Sequence, residues 1–257
     1  MKVVILCGGL GTRLREETEF RPKPMVPIGG KPILWHIMKF YAEQGHKDFI
    51  LCLGYKGEFI KDFFRNYQWN MSDITLQLGR TPEVQYHTNH NEEDWRVTLV
   101  DTGETTQTGG RLRRVLPFID EENFLMTYGD GVSNTDVNES IRFHHSEGKI
   151  ATVTAVHPVG RFGEMVLKGN SVTTFNEKPA KEKGFISGGY FVMNRKIADY
   201  IHEDSCIFEQ QVLPVLAEEG NLSVYRHNGF WQCMDTYRER MILEELWESG
   251  NAPWRSW

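Results

Sequence analysis

At 257 residues, with 40% hydrophobic and 12% aromatic content, the chain can bury a sizeable core and lies within the range of one domain, 1–257. A net charge of -6 supplies no basic field for nucleic acid or an anionic membrane, so an anionic ligand has to be held by local cations. The longest apolar runs are about six to eight residues, against the roughly 20 of a bilayer span, and the N-terminus has no signal-peptide core. A cytoplasmic protein that binds neither nucleic acid nor membrane is expected. Cys7, Cys52, Cys206 and Cys233 are scattered without a CxxC pair and read as reduced, structural thiols.

The first run, "KVVILC", is continuous, apolar and β-branched, as a parallel strand buried on both faces would be. A glycine- and proline-rich stretch follows, and then "KPILWHIMKFYAEQG" places Ile33, Ile37, Phe40 and Tyr41 at helical spacing between Pro32 and Gly45. Strand "DFILCLGY" and helix "EFIKDFFRN" continue an alternation that implies βαβ units and a largely parallel sheet. From about 68 to 96 the rhythm breaks into a polar insertion with two short alternating runs that can pair as a hairpin. His87 and His90 lie there in an Asn-rich context that suits a solvated loop better than a metal site.

Alternation resumes with strand "VTLVDTG", a helix from "GGRLRRVLPFI", strand "NFLMTYGDG", helix "NESIRFHHSEG" and strand "IATVTAVHP", giving at least five core strands. Beyond Pro158 come strand pairs, "GEMVLKGNSVTTFNEKP" around a Gly169-Asn170 turn and "GFISGGYFVMN", so the second half of the sheet is expected to be mixed. Helices are predicted near "RKIADYI" and across "FEQQVLPVLAEEG". One strand across "LSVYRHNGFWQCMDT" then leads to Asp235, and the amphipathic "YRERMILEELWES" closes the pattern.

The chemistry concentrates in "LCGGLGTRLREETEFRPKPMVPIGGKPIL", from Leu6 to Leu34. Gly8, Gly9, Leu10 and Gly11 follow a buried strand, where ligands of parallel sheets lie, and glycine lets several backbone N–H groups approach an anion. The stretch is neither GxxxxGK[ST] nor a complete dinucleotide fingerprint. Pro22, Pro24 and Pro27 favour extended backbone, so the loop is expected to wrap before any helix begins. Arg13 and Lys23 supply two cations to that wrap, which suits a polyphosphate. Asp130 in "TYGDG" and Asp235 in "CMDT" each close a strand; together they can hold one hard cation by oxygen, while each alone reads as well as a turn or helix-cap residue.

"GGLGTRL...PKPMVPIGGKPIL" resembles the N-terminal signature of the sugar-1-phosphate nucleotidyltransferases. "TGGRLRR", "TYGDG", "GRFGEM", "FNEKP", "GFWQCMDT" and "LWESGNAPW" extend the likeness along the chain and resemble that family's glucose-1-phosphate cytidylyltransferase branch. The resemblance implies a three-layer Rossmann-like α/β fold with a mixed, mainly parallel central sheet, and a homo-oligomer. It implies transfer of a cytidylyl group from CTP to glucose 1-phosphate with Mg²⁺, giving CDP-glucose for surface polysaccharide. Its nucleotide site would comprise Leu6, Cys7, Gly8, Gly9, Leu10, Gly11, Thr12, Arg13, Lys23, Thr106, Arg111 and Gly129, with Arg13, Lys23 and Asp130 catalytic and the metal on Asp130 and Asp235. Lys178 would hold the sugar phosphate and Glu177 the sugar hydroxyls, with Gly163 and Gly188 allowing close approach of the hexose; a bulge reads as simply for a strand glycine alone. Phosphate contacts are indifferent to the base, so dTTP, UTP, GTP or another sugar phosphate stays open, as does a non-catalytic regulatory subunit. The C-terminal tryptophans, Trp247, Trp254 and Trp257, read equally as core or as contacts to a neighbour.

Overall fold

A computed structural model describes residues 1–79, 83–87, 92, 94–158, 164–168, 171–176 and 184–257. The apolar runs become a seven-stranded sheet made of β1 (Val3–Leu6), β2 (Asp48–Leu53), β3 (Arg96–Asp101), β4 (Asn123–Tyr128), β5 (Ala151–Val156), β6 (Ile186–Asn194) and β7 (Leu222–Arg226). Their spatial order is β7-β5-β6-β4-β1-β2-β3. β1 pairs in parallel with β2 and with β4, as does β2 with β3 and β5 with β7; β6 alone runs antiparallel, between β4 and β5. The sheet is therefore mixed and mainly parallel, two strands wider than the minimum read from the sequence.

Because side chains alternate across a strand, β1 feeds two cores at once. Val3 and Ile5 pack with Ile33, Ile37 and Tyr41 of α1 (Ile33–Glu43) and Leu243 of α6 (Tyr237–Glu248) on one face. Val4 and Leu6 pack with Leu112 and Val115 of α3 (Thr108–Val115), and with Phe208 and Leu216, on the other. Among the described residues the other helices are α2 (Gly57–Arg65), α4 (Val137–Glu147) and α5 (Leu213–Glu218), with short α-helical turns at Arg15–Thr18 and Tyr67–Met71. Helices thus cover both faces of the sheet, which makes the three layers. None is long and apolar enough to cross a membrane, among the described residues.

Four elements depart from the sequence reading. The glycines run directly into a short helical segment, a 3₁₀ turn at Thr12–Leu14 and one α-turn at Arg15–Thr18, because the first proline comes only at position 22. Residues Arg195–Tyr200 form 3₁₀ rather than α-helix. The segment starting at Phe208 opens as a π-helical turn, Phe208–Val212, before α5; Pro214 has no N–H to offer Gln210, so a regular α-helix cannot run through. Finally, the single strand expected after Asn221 divides at His227-Asn228-Gly229 into β7 and a short strand, Trp231–Cys233, which pairs antiparallel with Gly131–Ser133.

In the insertion, Ile74–Gln77 and Glu83–Tyr86 pair as an antiparallel hairpin, and the His87 ring lies 2.7 Å from Thr75 Oγ1. His90 lies outside the described residues, as does the Gly169-Asn170 turn between the paired strands Glu164–Lys168 and Ser171–Asn176.

Of the C-terminal tryptophans, Trp254 is buried in the core, and Trp247 and Trp257 are partly buried against it. Trp247, Trp254 and Trp257 surround His36 with ring centroids 4.7, 6.2 and 6.3 Å away. His36 is fully buried; its Nε2–H donates to the Ile28 carbonyl at 2.8 Å, and Nδ1 accepts from Trp254 Nε1–H at 3.4 Å. The bond from Trp254 requires the neutral ring, while the Ile28 carbonyl can accept from either form; burial prevails and pulls the pKa from 6.5 to about 4. Above pH 6.5 folded and unfolded chains both carry a neutral His36; below it the unfolded chain takes the proton first, so stability falls until about pH 4. The loss should reach at most about 3 kcal/mol. Urea unfolding across that window measures it, and a His36 ring titrating near 6.5 by NMR would contradict the assignment.

Candidate active site

The carboxyl ends of β1 and β4 and the loop after β3 open onto one cavity of about 680 Å³. Leu6, Cys7, Gly8, Gly9, Leu10, Gly11, Thr12, Arg13 and Lys23 line it, as do Thr106, Arg111, Gly129, Asp130 and Asp235. A smaller pocket of about 90 Å³ adjoins it at Tyr128 and Asp130 and includes Gly188. Gly163, Glu177 and Lys178 lie outside the described residues.

Two of the three glycines of the opening loop, Gly11 and Gly8, each have their own reason to lack a side chain. Gly11 is left-handed, φ 64°, and starts the Thr12–Leu14 turn that carries Arg13. Gly9 has no heavy atom within 4 Å of where a Cβ would stand and leaves its backbone open to the cavity. A Cβ on Gly8 would overlap the Arg111 guanidinium, as would one on Gly54 at the end of β2.

That guanidinium is the fixed point of the site. Nη1 donates to Leu53 O at 3.0 Å, Thr102 Oγ1 at 2.8 Å and Gly103 O at 2.8 Å; Nη2 donates to Gly8 O and Glu104 O, both at 3.1 Å. These acceptors belong to the ends of β1, β2 and β3. Arg111, expected at the base, lines the cavity; both its terminal nitrogens are engaged by the protein, and the residue ties three strand ends together. Burial lowers its pKa, which matters little for a group that titrates so far above neutrality.

On the opposite side Lys23 lies between two carboxylates, donating to Asp130 Oδ2 at 2.8 Å and, closely, to Asp235 Oδ1. Arg13 Nη1 is 3.1 Å from Asp235 Oδ2, with its side chain 70% exposed. Burial pulls the Lys23 pKa down, but Asp130 and Asp235 outweigh it and hold the ammonium above its ordinary value. Local geometry explains the pair. The Met234 N–H donates to Asp130 O at 2.8 Å, joining the two segments. Thr236, and not Asp235, caps α6: it forms a capping box with Glu239, whose carboxylate also accepts from Asp235 N–H at 2.8 Å. The Asp235 carboxylate thus faces the cavity.

Asp130 and Asp235 together fit a hard divalent cation, since oxygens from both already reach one cationic atom, Lys23 Nζ. Cys233, Asp235 and Glu239 also cluster within 4.8 Å. A thiol and a carboxylate already engaged in capping suit such an ion less well. Cys7 is buried, and burial pushes its thiol pKa well up, so it lines the cavity as an inert group.

The sequence reading passed over Pro24, Glu104, Thr105, Gln107, Thr108 and Tyr128 in the larger cavity. It also passed over Ser187, Trp231 and Cys233 in the smaller one. Thr105, Gln107 and Thr108 stood inside the quoted "TTQTGGRL", and Tyr128 beside Gly129. Trp231 Nε1–H donates to Gly188 O at 2.7 Å, fixing the backbone of the smaller pocket from a strand distant in sequence.

The chain is 52% identical over 258 residues to glucose-1-phosphate cytidylyltransferase of Salmonella typhimurium, with all of each chain covered. It is 44% identical, again over all of each chain, to the probable glucose-1-phosphate cytidylyltransferase of Bacillus subtilis. The crystal structure of HddC from Yersinia pseudotuberculosis superposes with a TM-score of 0.71 at 25% identity, covering 96% of this chain and 99% of that one. The nucleotidyl transferase family model matches residues 2–238, and the chain belongs to that family.

Proposed function

We propose that the protein transfers a cytidylyl group from CTP to glucose 1-phosphate, giving CDP-glucose and pyrophosphate. One observation carries the reading. A glycine loop, two cations and two carboxylates converge on a cavity of about 680 Å³ that meets a second pocket at Asp130. The full-length relatives that carry this activity by name support the choice of CTP and glucose 1-phosphate.

In this reading the triphosphate lies along Gly8–Gly11, with Arg13 and Lys23 neutralising it, and the base lies towards Thr106 and Gly129. The hexose takes the smaller pocket beside Gly188, and the family resemblance assigns Glu177 to its hydroxyls and Lys178 to its phosphate. A sugar-phosphate oxygen attacks the α-phosphorus as pyrophosphate leaves on the opposite side. The nucleophile is already ionised, so no side chain needs to remove a proton, and positioning and charge neutralisation do the work. Asp130 and Asp235 would hold Mg²⁺, which supplies Lewis-acid stabilisation of the phosphate charge when bound. Lys23, held by the same two carboxylates, would exchange them for phosphate oxygens as the nucleotide arrives.

Pyrophosphate release with CTP, glucose 1-phosphate and Mg²⁺, repeated with dTTP, UTP and GTP, tests the function. No turnover with CTP would overturn it. Lys178→Ala should raise the KM for glucose 1-phosphate about tenfold while sparing the KM for CTP, as expected for loss of one charged contact. An effect confined to the nucleotide would remove Lys178 from the sugar site.

A further inference from the structure

The π-helical turn Phe208–Val212 carries one side chain to the rim of the large cavity. Glu209 accepts a hydrogen bond from Thr108 Oγ1 at 2.7 Å through one carboxylate oxygen, and from the Tyr128 hydroxyl through the other. Thr108 and Tyr128 both line the cavity and come from different elements: Thr108 opens α3, and Tyr128 ends β4.

The anchoring of Glu209 shows that this bridge is built. The backbone from Asp204 to Phe208 is fastened to the start of α3: Gln107 N–H donates to Asp204 O at 2.9 Å, Gly109 N–H to Cys206 O at 2.9 Å, and Phe208 N–H to Thr108 Oγ1 at 2.9 Å. Gly109 and Gly110 are glycines for this reason, since a Cβ on Gly109 would stand 2.9 Å from Cys206 O and one on Gly110 would overlap Asp204. On the far side, the Tyr128 ring occupies the space a side chain at Gly189 would need, with the would-be Cβ 2.6 Å from Cδ2. Tyr128 also borders both pockets. The carboxylate therefore links the start of α3, to which its own backbone is fastened, to the ring at the end of β4 that packs against Gly189. A π-turn places it there, and such turns recur at functional sites.

We propose that Glu209 is a positioning residue for the nucleotide base: by bridging Thr108 and Tyr128 it sets the width of the slot between the residue 104–108 wall and the end of β4. The inference rests on CTP occupying this cavity. Arg13, Lys23, Asp130 and Asp235 contact one another and are assigned to the phosphates, while the bridge is assigned to the base, so the slot contributes equally to binding in the ground and transition states. Loosening it raises KM without lowering kcat. A slot of set width also discriminates between bases, and its loss narrows the preference for CTP over other triphosphates.

The test is steady-state kinetics of the full-length protein with Glu209→Ala, Glu209→Gln, Tyr128→Phe and Thr108→Val. Glu209→Ala should raise the KM for CTP about tenfold and reduce the kcat/KM ratio of CTP over UTP, with kcat and the KM for glucose 1-phosphate within about twofold of wild type. Glutamine can still bond both hydroxyls and should restore most of the affinity. Tyr128→Phe and Thr108→Val each remove one arm, should give intermediate losses, and should add little on top of Glu209→Ala. An unchanged KM for CTP in Glu209→Ala overturns the proposal, as does an equal fall in kcat/KM for both substrates. If Glu209→Ala does not fold, the two single-arm variants decide by the same criteria. Arg13→Ala separates this inference from the placing of CTP. If that variant weakens CTP and Glu209→Ala does not, the bridge alone is refuted; if Arg13→Ala leaves the KM for CTP untouched, the placing of the nucleotide falls first.

Discussion

Asp130→Asn and Asp235→Asn are each expected to lower turnover by about 10² to 10³, the usual effect of losing one preorganised electrostatic contact. Asparagine preserves the shape of each side chain and one oxygen that can accept from Lys23, whose Nζ now lies between the two carboxylates. The capping box of α6 uses Thr236 and Glu239 and does not involve the Asp235 carboxylate, so the helix should form normally in the variant. Circular dichroism and the thermal midpoint should therefore stay near wild type while pyrophosphate release collapses. Neutralising one carboxylate also halves the negative charge available to a divalent cation, so Mn²⁺ affinity measured by titration should fall in step with turnover. Near-normal turnover in either variant would remove the two-carboxylate cation site.

The strands and the glycine loop that lines the cavity were legible because their signals are local. Each buried parallel strand is a continuous apolar run, and the stretch from Leu6 to Leu34 compresses its glycines, cations and prolines into one segment. What was hidden depends on pairings between distant residues. Gly8 was read as a phosphate donor, yet what forbids a side chain there is Arg111, 103 residues later. Glu209 carries no motif, and its partners stand 101 and 81 residues away. The helix at Phe208 was misjudged as regular because apolar spacing cannot distinguish a turn widened before Pro214 from an α-helix. The reading of Asp235 as a helix cap was resolved by its neighbour, since Thr236 and Glu239, three residues apart, are the box themselves.

Removal of the Arg111 guanidinium should be the most damaging single change to the fold of the site. Arg111→Met leaves the carbonyls of Gly8, Leu53, Gly103 and Glu104 without the donor they now share, in a position where Arg111 is 5% exposed. Breaking a buried set of charged hydrogen bonds from one side costs about 3 kcal/mol or more, because the partners stay behind desolvated. Urea unfolding should register that loss together with weaker CTP binding, as Gly8 and the loop from Gly103 come free of each other. Arg111→Lys should recover only part of it: an ammonium has three donors and no planar fork to reach five acceptors. Gly54→Ala provides an independent check, since Gly54 is absent from the cavity lining yet its Cβ would displace the same guanidinium. It should weaken CTP binding without touching the ligand. If Arg111→Met instead abolished CTP binding with stability within about 1 kcal/mol of wild type, and Gly54→Ala were silent, the guanidinium would be a direct reader of the nucleotide and the strand-end tie would be incidental.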